Sequence, residues 1–341
     1  MALKKRAFIL PLLACFALGA ATTGPAGRSP DVDIRDAAEA QKILPENVAV
    51  RKLATGMGFV EGPVWFRAKS PDRPGYLIFS DIPGNELKLW TEADGLKTFR
   101  KPSHAANGNT QDAQGRLVTC EQWARCLTRR EPDGTVVTLV DNYQGKKFNS
   151  PNDVAIKSDG TIWFTDPPYW VPSGEKRELA RQLVFRVDFP KVAATGPSTS
   201  PATGPAPAAA LGTATMVAED FEMPNGICFS PDEKKLYISD TGGPHHVRVF
   251  DVQPDNTLAN GRVFAVIDKG APDGIRVDSD GRLYAACGDG VHIFTPEGKL
   301  ILKILVPETP ANCTFGGPDG RTLFMTARNS LYAVGLRTKA P

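Results

Sequence analysis

The sequence predicts an all-β protein, a six-bladed β-propeller with four-stranded blades, on three observations. One strand motif recurs six times, short alternating strands lie between the copies, and no long stretch carries helical periodicity. The motif is a turn of Asp, Pro and Gly followed by a strand of the type Leu-Tyr-x-Ser/Thr-Asp. Its copies read PGYLIFSD from Pro74, QGRLVTCE from Gln114, DGTIWFTD from Asp159, PDEKKLYISD from Pro231, DGRLYAAC from Asp280 and DGRTLFMTA from Asp319. They stand about 40 to 50 residues apart, the period of a blade, except between the third and fourth. That longer gap contains a Pro/Ala/Thr/Gly-rich insertion at 193–210, which cannot pack a core, and removing it restores the period.

Taken in order, the chain opens with Lys4, Lys5 and Arg6, an apolar run at 7–17 and small residues at 18–21. This is the layout of an export leader over 1–21, and it implies a periplasmic or secreted protein. The apolar run is too short for a membrane span; a lipid anchor at Cys15 is the less favoured alternative. Residues 22–45 read as an N-terminal tail, with a short helix at 32–44, and 46–338 as the propeller. The first hairpin begins at Glu61 and is longer than the others. The third is the clearest: FNSPNDVAIKSDGTIWFTDPPY at 148–169 has an Asn-rich entrance, a reversal at Ser158-Asp159-Gly160 and two strands of β-branched and aromatic residues. Later strands such as VRVFD from Val247 and VHIF from Val291 complete the blades. Trp65, Trp90 and Trp163 fit the core between blades.

Charge excludes one class of partner. Without the three leader cations the chain has 37 basic against 38 acidic residues, so nothing suggests nucleic acid or another polyanion. Cys120 and Cys126 fit a hairpin with or without a bond between them. Cys228, Cys287 and Cys313 sit in apolar strand patterns as small buried thiols.

The polar residues that precede each blade's first strand carry the chemistry. They are Glu61, Asn107, Asn152, Asn225, Asp273 and Asn312. At a single position Asn-Gly or Asp-Gly is ordinary turn chemistry. Six in phase are different, because radial repetition brings them together near the axis. Two carboxylates, Glu61 and Asp273, with amide oxygens, match one hard divalent cation, and without it the carboxylates would repel. No His or Cys shares the phase.

EGPVWF at Glu61, SPND at Asn152, TDPPY at Asp166, MPNGICFSPD at Asn225, YISDTGG at Ser239 and PDGIRVDSDGRLY at Asp273 together resemble the SMP-30/gluconolactonase/LRE family over 53–331. The resemblance implies a six-bladed propeller that binds a divalent metal, calcium first, with magnesium, manganese or zinc as alternatives, and hydrolyses a small-molecule lactone. It implies metal ligands at Glu61, Asn225 and Asp273, a further amide at Asn152 that meets metal, substrate or water, and a general base at Asp273. Where many bacterial members have Cys-Glu-His, this chain has Cys120-Glu121-Gln122, and where the animal members have an Arg it has Ser150 nearby. Asn107 and Asn152 are expected to orient substrate hydroxyls or water, and Tyr169 to wall the mouth beside Trp170. His104, His245, His246 and His292 are read as secondary or structural. Rival readings are another ester or phosphoester hydrolysis at the same site, strictosidine-synthase-like chemistry, and a non-catalytic calcium-binding propeller.

Overall fold

The six motif copies become the second strands of six antiparallel sheets, because each Asp/Pro/Gly turn reverses one strand onto the next. The computed structural model describes residues 31–68, 70, 74–190 and 211–341. The leader, Cys15 and the insertion at 193–210 lie outside the described residues.

Blade 1 runs Val60–Phe66, Tyr76–Asp81, Glu86–Thr91 and Gly95–Arg100. Blade 2 runs Ala106–Gln111, Leu117–Glu121, Cys126–Arg130 and Val136–Val140. Blade 3 has Val154–Ile156, Ile162–Asp166, Leu183–Asp188 and Thr213–Ala218, and its last two strands pair directly, so the insertion leaves the sheet intact. Blade 4 has Pro224–Phe229, Lys235–Asp240, His246–Val252 and Leu258–Val266. Blade 5 has Ile275–Val277, Leu283–Cys287, Gly290–Phe294 and Leu300–Leu305. Blade 6 takes Pro310–Gly316, Thr322–Ala327 and Ser330–Gly335 from the end of the chain and its outermost strand, Arg51–Ala54, from the beginning. That shared sheet closes the ring.

The tail does more than its composition suggests. Val32–Ile34 adds a fifth strand to blade 5, and the helix Ala37–Ile43 buries Ile43 completely against blades 5 and 6. Asp36 caps the helix by accepting from the Glu39 N–H at 3.3 Å, and Lys299 reaches the same carboxylate at 2.7 Å. The expected helix at 32–44 is therefore a strand followed by a shorter helix.

Apolar side chains interdigitate between neighbouring blades. Trp163 is fully buried edge-on to Phe229 between blades 3 and 4; Phe164, Phe185 and Phe148 fill the space between blades 2 and 3. Trp90 and Phe324 join blades 1 and 6, and Trp65, partly exposed, stacks on Phe324 at 5.3 Å. All five described cysteines are free and buried, Cys120 and Cys126 included.

Candidate active site

The six polar residues do converge, and the glycines beside them are there for a reason other than the turn. Glu61-Gly62, Asn107-Gly108 and Asn225-Gly226 lie inside first strands, not in turns, and the ladder slips there: between Glu61 and Val64, Ala106 and Asn109, Pro224 and Ile227. A bulge of this kind re-aims a side chain out of the sheet. A Cβ on Gly62 would sit 2.0 Å from the Asn107 carbonyl oxygen, on Gly108 2.5 Å from that of Asn152, on Gly226 2.4 Å from that of Asp273, and on Gly274 2.0 Å from the Asn312 amide carbon. In these four pairs the site residue of one blade thus presses on the glycine of the blade before it. Only Gly62 of these four has a left-handed φ, +53°; for the rest, close approach is the requirement.

The Ser/Thr-Asp end of the repeat motif holds this ring. Ser80 Oγ donates to the Asn107 carbonyl, Thr165 Oγ1 to that of Asn225 and Ser239 Oγ to that of Asp273, each at 2.6 Å and each from one blade to the next. The acids that follow cap the incoming loops. Asp81 accepts from the Gly58 N–H, Asp166 from Asn149 and Ser150, and Asp240 from Glu222, Met223 and Gly242. Asp166 is fully buried beneath the loop that delivers Asn152, and burial lifts its pKa to about 7 against the pull of those two N–H donors.

At the centre the side chains are dry. Glu61, Asn107, Asn152 and Asn225 are each under 5 % exposed. Burial raises Glu61 to a pKa of about 7, and the charge of Asp153 adds to the rise, while the Gly62 N–H on its Oε2 at 2.8 Å opposes it. Asp273 is raised as well, by burial first and then by the charges of Glu61 and Asp153. Its Oδ1 is buried without a hydrogen-bond partner. An orphaned carboxylate oxygen facing a second carboxylate is the arrangement a hard cation would satisfy. Among the described residues no group of three His, Cys, Asp or Glu is disposed as ligands, so amide oxygens must complete the set.

Two residues of the centre were missed in the sequence. Asp153, 1 % exposed, pairs with Arg276 at 3.3 Å across the channel. It stands where four of the six blades carry the glycine, and that departure was the available signal. With Asp153 and Arg276 counted, three carboxylates face one guanidinium, leaving two negative charges for a divalent cation to balance.

Asn225 turns its Nδ2 to Thr241 Oγ1 at 3.0 Å and to the Tyr169 hydroxyl at 3.4 Å, and it also donates toward the Asp273 carboxylate. To serve a cation its amide would rotate to present Oδ1. Tyr169 reaches inward over this group, and burial, helped by the Asp273 charge, pushes its phenol to about 12. Asn107 and Asn152 flank the centre on the blade 2–3 side; Asn312 hydrogen-bonds Glu61. The histidines stay outside the ring: His104 is a half-exposed partner of Glu121 at 2.7 Å, His245 and His246 sit at the start of a strand, and His292 is buried on Asp289 at 2.6 Å. Gln122 is fully buried with neither amide atom partnered.

Comparison with known proteins shows what the whole chain is similar to. The chain is 30 % identical over 325 residues to a gluconolactonase of Zymomonas mobilis, covering 87 % of this chain and 83 % of that one. It is 38 % identical over 276 residues to a 6-deoxy-6-sulfogluconolactonase of Pseudomonas putida, covering 78 % and 82 %. The solved structure of XC5397, a gluconolactonase from Xanthomonas campestris, superposes with a TM-score of 0.76 at 34 % identity, covering 90 % of this chain and 95 % of that one. The family described as SMP-30/Gluconolactonase/LRE-like region matches residues 59–329, from the first strand of blade 1 through the second strand of blade 6. The chain belongs to the SMP-30/gluconolactonase/LRE-like family.

Proposed function

We propose that this protein is a divalent-metal-dependent lactonase that opens a sugar lactone such as gluconolactone to the aldonic acid. The observation that carries the reading is the pair Glu61, buried, and Asp273, half-buried, whose Oδ1 is enclosed without a partner and whose carboxyls each raise the other's pKa in the absence of a cation. Glu61, Asn225 and Asp273 would hold the ion, with Asn152 beside them, and calcium suits this all-oxygen set best. A bound cation supplies Lewis-acid polarisation of the lactone carbonyl.

The chain's own residues do the rest. Asp273, with its Oδ1 enclosed and unpartnered, would accept the proton of the attacking water, and because a cation held by the same carboxylate would lower its basicity, the water would also have to be acidified by that cation. Asn107 and Asn152 offer amides at the same depth to orient water or ring hydroxyls, and Tyr169 covers the mouth from the blade 3 side. Asp153 and Arg276 hold the channel floor as a paired charge and leave Glu61 and Asp273 to the ion. Export by the N-terminal leader belongs to the same proposal, and cell fractionation checks it.

The test is initial-rate hydrolysis in a pH-stat across gluconolactone, other aldonolactones and aliphatic lactones, with the metal titrated back after chelation. Chelation should abolish turnover of the sugar lactones, and calcium should restore it. Turnover indifferent to chelator would remove the metal from the account; binding of calcium with no lactone turned over would favour the non-catalytic reading.

A further inference from the structure

Among the described residues three aromatic side chains are substantially exposed: Trp123 at 43 %, Trp170 at 41 % and Tyr169 at 37 %. All three lie in the connections that follow the second strands of two neighbouring blades, 2 and 3. A second strand ends on the face where the first strand of its blade begins, so these connections surround the ring of polar residues. The exposed aliphatic residues, Val136, Leu211, Val263 and Val266, lie instead in or beside the outermost strands of blades 2, 3 and 4.

The aromatics are tied to the site. The Trp123 backbone N–H donates to the His104 carbonyl at 3.0 Å, three residues before Asn107. The Trp170 backbone N–H donates to Ser150 Oγ at 3.2 Å, two residues before Asn152. Arg125 is fully buried and joins the two connections by donating to the Phe148 carbonyl at 2.5 Å and to Glu175 at 2.8 Å. One sector of the mouth, beyond Asn107 and Asn152, therefore carries two exposed tryptophans on connections whose backbone is held in place. Exposed tryptophans contribute little to a core, and a clustered set beside a polar centre marks a contact surface.

The surroundings select what covers them. An acyl chain would call for an extended aliphatic lining, and the described residues here supply only the partly buried Val171, Pro168 and Pro172 around the two exposed aromatics of the blade 3 connection. A pyranose ring has a polarised C–H face for the negative face of an indole and hydroxyls for a polar rim, which here includes His104, Lys147 and Glu175. We infer that Trp123 and Trp170 form a second sugar subsite, so that the lactone opened here carries a glycosyl substituent, as in a disaccharide-derived aldonolactone. The inference rests on the lactonase reading above. Water adds across the ring ester to give a hydroxyl and a carboxylic acid, and the glycosidic bond is untouched.

The experiment compares kcat/KM for cellobiono-1,5-lactone, glucono-1,5-lactone and an alkyl δ-lactone in the full-length metal-loaded enzyme and in Trp123→Ala, Trp170→Ala and Trp170→Phe. The wild type should prefer the disaccharide lactone by about tenfold, mostly through KM. Each alanine variant should lower that preference several-fold, and Trp170→Phe should keep most of it. Equal rates on the two sugar lactones would overturn the subsite and leave the lactonase reading standing. So would alanine variants that lose both substrates in equal proportion, or a preference for the alkyl lactone. Failure to hydrolyse either sugar lactone would overturn both.

Discussion

Replacing Glu61 by Gln removes a buried charge while keeping the side chain's shape, and its effect should change sign with the cation. Glu61 is 3 % exposed, and its pKa stands at about 7 against an ordinary 4.5. For an acid raised in this way the native state holds its proton more tightly than the unfolded chain. Stability is then full below pH 4.5 and falls as pH rises through 7. The loss at pH 8 is on the order of 3 kcal/mol, or very roughly 5 to 10 °C in Tm for a chain of this size. In chelator, Glu61→Gln should match the wild type at pH 4.5 and melt several degrees above it at pH 8. With calcium at about a hundred times the wild-type Kd, the wild type gains about 2.7 kcal/mol and the variant, short of a ligand, gains far less. Calorimetric melting at the two pH values, with chelator and with calcium, reads all four states. A variant no more stable than wild type at pH 8 in chelator, or two proteins stabilised equally by calcium, would refute the reasoning.

Two further outcomes follow from burial alone. Ile43→Ala should cost about 2–5 kcal/mol, because the side chain is fully enclosed between the N-terminal helix and blades 5 and 6; chemical denaturation checks it, and a neutral result would show the tail to be dispensable. Gln122→Met should stabilise the protein by about 1 kcal/mol, since the amide it replaces is buried with no partner at either atom; a loss of stability would mean the amide is satisfied in solution.

The ring was legible because it is written locally and repeated. Each DG or PD turn and each Ser/Thr-Asp strand end is a short-range signal, and six copies at one period leave few architectures. The six site positions followed from phase. What local reading could not supply was how closely the blades approach. Gly62, Gly108, Gly226 and Gly274 looked like turn residues, and the contact that demands them is with the next blade. Asp153 and Arg276 escaped for the same reason: 123 residues separate them, and each alone fits a strand end or an exposed strand face. The tail at 31–44 was under-read because its few apolar residues gain a core only when the ring has closed beside them.

The most direct measurement is gluconolactone hydrolysis by wild type and Asp273→Ala, each with calcium and with chelator. The account predicts turnover only in the wild type with calcium, a fall of at least about a thousandfold in the variant, and no rescue of the variant by excess metal. Full activity of Asp273→Ala, or of the wild type in chelator, would contradict it.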